Sequence, residues 1–316
     1  MGTITKVVVY SLGIFFLCTT PVFAQHTQHN SSTATSQQQQ IETVNLLSLP
    51  EVLPEWKKAR VIYLGETHSS QKDHEAQLAI IEALTRENSK IAIAMEMFQR
   101  PAQDILDQYL AGKITEAELV KQSEYEQRWG FPWEYYAPLV RFAKTNQLPV
   151  LALNTPTEVT RKVARRGLES LTSAEQEHIP PLSEIRTDNA DYRNLIQGFY
   201  QQHHHAGHSN SRNFDNFFTA QVLWDETMAE KIALFAQANP DYQVVVIAGQ
   251  GHIIYDYGIP SRVARRFNHQ LEQISVLLGA QPEKLAGENA IAFGAAKLIG
   301  EAAPKAIADY LWEHPF

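Results

Sequence analysis

The chain has 316 residues, 44% of them apolar and 20% charged, enough to bury one large core or two small ones. Its formal net charge of −8 argues against a nucleic-acid partner, because such a surface needs a basic footprint to release counterions. Cys18 is the only cysteine, so the chain forms no internal disulfide and, if residue 18 is removed, has no Cys-ligated metal and no thiol nucleophile.

In chain order, Lys6 precedes an apolar run from Val7 to Cys18, and Val22-Phe23-Ala24 stands before Gln25. This pattern predicts a secretory signal over residues 1–24, cleaved after Ala24. The apolar run is too short to span a bilayer. Phe16 and Leu17 before Cys18 do not suit a lipoprotein signal. The expectation is an exported protein, periplasmic or extracellular, meeting the membrane through other envelope proteins. Residues 25–44 form a polar leader too poor in apolar surface to order itself, and residues 45–316 form the functional domain.

Within that domain, apolar runs predict strands at Val61–Leu64, Ile91–Met95, Val150–Leu153, Gln243–Ala248 and Ile274–Leu278. Helical spacing predicts helices over Asp73–Glu87, Ala102–Leu110, Glu116–Gln122, Trp133–Thr145, Thr157–Arg166 and Ser261–Phe267, with Thr155 as a cap before Pro156 at a first helical position. Residues from about 170 to 240 have no strand signal and read as a helical insertion, ending in a long helix from about Phe214 to Gln237. The segment "AIADYLWEHPF" is open between strand and helix. The alternation predicts an α/β fold: a mainly parallel β-sheet flanked by helices, with a mostly helical insertion.

Parallel sheets bind ligands beyond the carboxyl ends of their strands. Gly65-Glu66-Thr67-His68 follows the first strand, Glu96 the second, Asn154 the third and Gly249-Gln250-Gly251-His252 the fourth. Four strands thus deliver carboxylate, imidazole and amide groups to one rim. Each has a plain alternative. Glu66 can cap or pair with an arginine, His68 can be a hydrogen-bonded structural histidine, and His74 and Gln77 share a helix face that suits the surface. His252 after a buried strand needs a partner. His203, His204, His205 and His208 read as a solvated loop rather than a metal tract. The stretch "RWGFPWEYYAPLVRFA" at 128–143 serves either as core packing or as the wall of a flat apolar pocket, and Tyr135 or Tyr136 offers a phenol that can ligate ferric haem.

The segments "LGETHSSQKDHEAQ", "AMEMFQRPAQ", "WEYYAPLVRFAKTNQLPVLALNTP", "AQVLWDETMA" and "VVVIAGQGHIIYDYGIPSRVARR", in this order, resemble the ChaN-like haem-binding, iron-regulated proteins of the Tiki and erythromycin-esterase superfamily. The resemblance runs from about residue 45 to the C-terminus. It implies an α/β fold with a cleft that can hold haem, and it picks out Glu66, His68, His74, Gln77, Glu96, Tyr136, Asn154, Gln221, Asp225, Glu226, His252, Gly258, Pro260 and Arg262.

Two functions follow as expectations. In the first, the protein binds haem or an iron-containing small molecule for uptake or handling, with Tyr136 or His68 as axial ligand, His74 and Arg262 in the site, and Arg100, Arg128 or Arg262 meeting the propionates. A homodimer sharing cofacial haems is open on this reading. In the second, it is an esterase- or peptidase-like hydrolase in which Glu66, His68, Glu96 and His252 work as acid, base and orienter. In that case Glu66, His68 and His252 are the candidate ligands of a divalent metal. Glu66 would orient either His68 or His252.

Overall fold

The computed structural model describes residues 3–6, 46–205, 213–279 and 306–313. Among the described residues, eight strands form one sheet: β1 (Thr3–Lys6), β2 (Leu46–Leu47), β3 (Val61–Glu66), β4 (Ile91–Gln99), β5 (Val150–Asn154), β6 (Gln243–Gly249), β7 (Gln273–Leu278) and β8 (Tyr310–Glu313). Their spatial order is β2-β1-β8-β7-β3-β6-β4-β5. The six strands from β8 to β5 are mutually parallel, while β1 runs antiparallel to β2 and β8. The sheet is flanked by helices on both faces, which is the α/β architecture read from the sequence. Within the C-terminal segment, Tyr310–Glu313 is strand.

β3, β4, β5 and β6 are buried along their whole length. A run such as Gln243–Gly249 is therefore apolar nearly throughout instead of alternating, as a strand covered on both faces must be. On one face, Leu84 and Ile80 of the helix Gln71–Glu87 and Leu139 and Val140 of the helix Trp133–Thr145 pack on Ile62, Leu64, Ile93 and Val245. On the other, Val222, Met228 and Ile232 of the helix Phe214–Ala238 meet Val244, Val246 and Tyr63. The sheet separates these two apolar layers.

Two elements differ from the expectations for local reasons. β4 continues past Met95 to Gln99, so Glu96 lies within the strand, where the register with β5 shifts between Met95 and Gln99; such irregularities re-aim a side chain. The helix Thr157–Arg166 has Pro156 at its N-cap in extended conformation (φ −53°, ψ 130°), so Thr155 does not cap it. The region from 170 to 240 holds short helical turns and the helices Ala190–His205 and Phe214–Ala238; His208 lies outside the described residues. Thr3–Lys6, in the segment expected to be a signal, pairs with β8, and Lys6 bonds Glu55 at 2.7 Å.

Candidate functional site

Polar groups collect where β3, β6 and β4 end side by side, with Glu66 opposite Gly249 in the register. Sheet order reverses here: the chain passes from β3 over to β4 and β5, then returns to place β6 between β3 and β4. Such a switch point leaves a crevice at the carboxyl ends.

Glu66, the last residue of β3, is buried and surrounded by donors. Its Oε1 accepts from His68 Nδ1 at 2.7 Å and from the Tyr136 hydroxyl at 2.5 Å. Its Oε2 accepts from Gln77 Nε2 at 2.6 Å, with His74 Nε2 at 3.6 Å. Burial favours the protonated acid, but His68, His74, Tyr136 and Gln77 outweigh it and hold the carboxyl down at about 2. Glu66 is thus a fixed anion.

His68 is placed by its turn. The Thr67 N–H donates to Asp73 Oδ2 at 2.8 Å and Ser70 Oγ to Asp73 Oδ1 at 2.7 Å, so the start of the next helix ties down the loop that carries the imidazole. The ring packs edge-on against Trp129 (centroids 5.0 Å apart) and lies 5.1 Å from Phe131. Its side chain is 27% exposed. Across from it, a Cβ on Gly249 would come within 2.8 Å of His68 Nε2, so any larger residue here would make the imidazole shift. Burial works against the charged ring, yet the Glu66 hydrogen bond and nearby Glu96 keep its pKa above the ordinary value.

Glu96 accepts from the Gly249 N–H at 2.8 Å and stands 3.4 Å from His252 Nε2. Nδ1 of His252 bonds Asp225 Oδ1 at 2.6 Å, and the Tyr192 hydroxyl donates to Asp225 Oδ2 at 2.6 Å. Gln221 lies 3.2 Å from the same His252 nitrogen, and Trp224 covers the ring at 5.5 Å. Burial opposes a charge on His252, but Glu96 and Asp225 outweigh it and raise the imidazole to about 10. Glu96 is in turn kept below its usual range, burial notwithstanding, by His252, His68 and the Gly249 N–H. Asn154 donates to the Glu96 carbonyl at 2.8 Å and accepts from Trp224. The result is an alternating row: Glu66, His68, Glu96, His252, Asp225, Tyr192.

The structure gathers Glu66, His68, Glu96, His252 and Asn154 at the rim. His74 lies behind Glu66, stacked on Tyr135 at 4.9 Å and edge-on to Tyr136 at 4.7 Å, with its Nε2 facing Glu66 Oε2 at 3.6 Å. Tyr136 is fully buried with its hydroxyl given to Glu66. Arg262 is 4% exposed and stands beside Glu226, while Arg100 pairs with Glu230 at 2.8 Å. Arg128 bonds Gln99, Glu124 and Glu158 and, with Pro156 and His178, lines a cleft of about 520 Å³. The expected divalent-metal set is not built. Among the described residues no group of three or more His, Cys, Asp or Glu side chains can hold a metal ion. The reason is local: Nδ1 of His68 and both nitrogens of His252 already face carboxylates as hydrogen-bond or ion-pair partners.

Two residues escaped the sequence reading. Asp73 was legible as the fourth position of Ser70-x-x-Asp73, a helix-start pattern. Tyr192 reaches Asp225 across 33 positions of sequence, and no local signal announces it.

A family model described as haem-binding uptake, Tiki superfamily, ChaN, matches residues 52–263. A solved structure of ChaN of Campylobacter jejuni, whose subject is cofacial haem binding, superposes with a TM-score of 0.61 at 18% identity, covering 87% of this chain and 94% of that one. The chloroplastic protein RETICULATA-RELATED 5 of Arabidopsis thaliana is 26% identical over 285 residues, which is 81% of this chain; the chain spans 35% of that relative's length.

Proposed function

The chain belongs to the haem-binding uptake family of the Tiki superfamily that includes ChaN, and from that premise we propose that it is an exported protein that binds haem and handles haem or iron outside the cytoplasm. The observation that carries this reading is His68. A metal-ligating histidine commonly donates its other ring N–H to a carboxylate, which fixes the tautomer and raises its basicity. His68 meets that description: Nδ1 is held by Glu66 at 2.7 Å, the ring is partly exposed, and Trp129 and Phe131 flank it. Haem, when bound, supplies an iron that takes an imidazole as axial donor. His68 fits that role. Tyr136 fits it poorly, because its oxygen is buried against Glu66 and burial with that charge pushes its pKa far up. Of the three arginines considered for the propionates, Arg128 is the more exposed, at 31%, and it neighbours Trp129 in sequence.

Hemin titration of the protein lacking residues 1–24, followed by absorbance, tests the reading. A saturable shift of the Soret band is expected. His68→Ala should alter it, while Tyr136→Phe leaves its position unchanged. No shift in the unmutated protein would sink the proposal. Loss of the band in Tyr136→Phe alone would move the ligand to the phenol. Cofacial haem in the Campylobacter jejuni protein suggests a homodimer, which light scattering with and without hemin would reveal.

One observation favours hydrolysis as a second reading. His252 lies between Glu96 at 3.4 Å and Asp225 at 2.6 Å, which favour its charged form against burial, so it is placed to stabilise developing negative charge. His68, oriented by Glu66, is left as general base. Turnover on an ester or peptide panel that disappears in His68→Ala and in His252→Ala would support it.

A further inference from the structure

The geometry points to Arg262 as a positioning residue for His252: it braces the loop that carries this histidine and the carboxylate that holds its ring, instead of meeting a ligand. This goes beyond the haem reading and does not depend on it.

Arg262 reaches His252 by two routes. Along the backbone, its Nη1 donates to the Gly258 carbonyl at 2.9 Å and to the Tyr257 carbonyl. Gly258 in turn presses on His252 itself, since a Cβ built there would lie 2.2 Å from the His252 carbonyl oxygen. Through side chains, the guanidinium sits 5.2 Å over the Tyr192 ring. The Tyr192 hydroxyl holds Asp225 Oδ2 at 2.6 Å, and Asp225 Oδ1 holds His252 Nδ1 at 2.6 Å. Both routes close on one imidazole.

The loop needs a brace. Tyr255 and Asp256 adopt positive φ values of 55° and 53°, a conformation that costs non-glycine residues energy and persists only where neighbours enforce it. An arginine suits the task because one planar fork can serve two carbonyls, a carboxylate and an aromatic face together; a lysine ammonium is a single point charge. Glu226, fully buried, stands 3.4 Å from Arg262 Nε and compensates its charge. Asp225 and Glu226 are consecutive on the long helix yet point to different partners, one to His252 and the other to the arginines. Arg265 provides an internal comparison. Its Nη1 and Nη2 donate to both Glu226 oxygens, at 2.9 and 2.8 Å, and Nη2 also to the Glu184 carbonyl, away from the loop and Tyr192.

The test is nitrogen-15 NMR of histidine-labelled protein, with His252 assigned through His252→Gln, reading the exchange of its Nδ1 proton with water. Arg262→Met should speed that exchange by about tenfold, whereas Arg265→Met should leave it near the unmutated value. Equal effects of the two substitutions, or no effect of either, would overturn the assignment, since a merely structural arginine cluster would treat them alike. If Arg262→Met does not fold, Arg262→Lys and Tyr192→Phe decide the matter. Both keep most of the packing, and faster exchange in both supports the brace. Unmutated exchange in Arg262→Lys refutes it.

Discussion

Substituting Gly249→Ala isolates what the histidine at the rim contributes. The glycine has φ −60° and ψ 144°, a conformation alanine adopts freely, so the backbone carries no penalty. The unfolded chain even loses freedom, which alone would stabilise the protein by about 0.4–1 kcal/mol. Against this, the new methyl would stand 2.8 Å from His68 Nε2, 3.0 Å from Cε1 and 3.8 Å from Glu96 Oε2. The imidazole must move, and its 2.7 Å bond to Glu66 stretches with it. Losing a hydrogen bond to a charged group costs about 1.5–3 kcal/mol, moderated here because the displaced ring is partly exposed and can find water. A net loss of about 1–2 kcal/mol is expected in denaturant unfolding, together with roughly tenfold weaker hemin binding. Repeating the substitution in a His68→Ala background completes a cycle. There the methyl meets no ring, and the variant should be neutral or slightly stabilised. An equal loss in both backgrounds would refute the argument that the glycine exists to admit the histidine.

At the acid end, Glu66 is depressed from 4.5 to about 2, so its contribution, on the order of 3 kcal/mol, is complete above pH 4.5 and disappears as pH falls through 2. Unfolding free energies between pH 5 and 2 should fall, and Glu66→Gln should flatten that slope. At the alkaline end the sign is reversed. His252 is raised from 6.5 to about 10, so its contribution is complete below pH 6.5 and is lost as pH rises through 10; His252→Gln should remove this limb of the stability curve. Asp73→Ala releases both the Thr67 N–H and Ser70 Oγ and should cost about 1–2 kcal/mol while weakening hemin binding without shifting the Soret maximum. A shifted maximum would place Asp73 nearer the iron than the turn implies.

The strands were legible because a buried parallel strand is a run of apolar residues, and the rim was legible because such strands end in polar ones. Glu66 and Asn154, expected just past their strands, are the last residues of β3 and β5. Glu96 departs from that pattern, because β4 continues to Gln99 and carries it inside the strand, where the register shift and the Gly249 N–H provide for it. Arginine roles were least legible. Arg262 looks, in sequence, like any cation near a rim, and only its bonds to the Tyr257 and Gly258 carbonyls and its place over the Tyr192 ring show it turned inward. The same holds for Tyr136, whose phenol invites an iron until Glu66 is seen to occupy it. Sequence names the chemical group but not the direction in which it points.

The alternating row also has a mechanical side. Tyr136, His74 and Gln77 belong to the helical layer on one face of the sheet, Asp225 and Tyr192 to the layer on the other. The apolar cores of those layers are kept apart by the strands, so beyond the strand ends the row acts as a rivet through the sheet. A ligand that pulls His68 away from Glu66, or wedges between His68 and Glu96, loads both layers at once. Protection of backbone amides should then change together in the helices Trp133–Thr145 and Phe214–Ala238, on opposite faces, whichever side the ligand enters from.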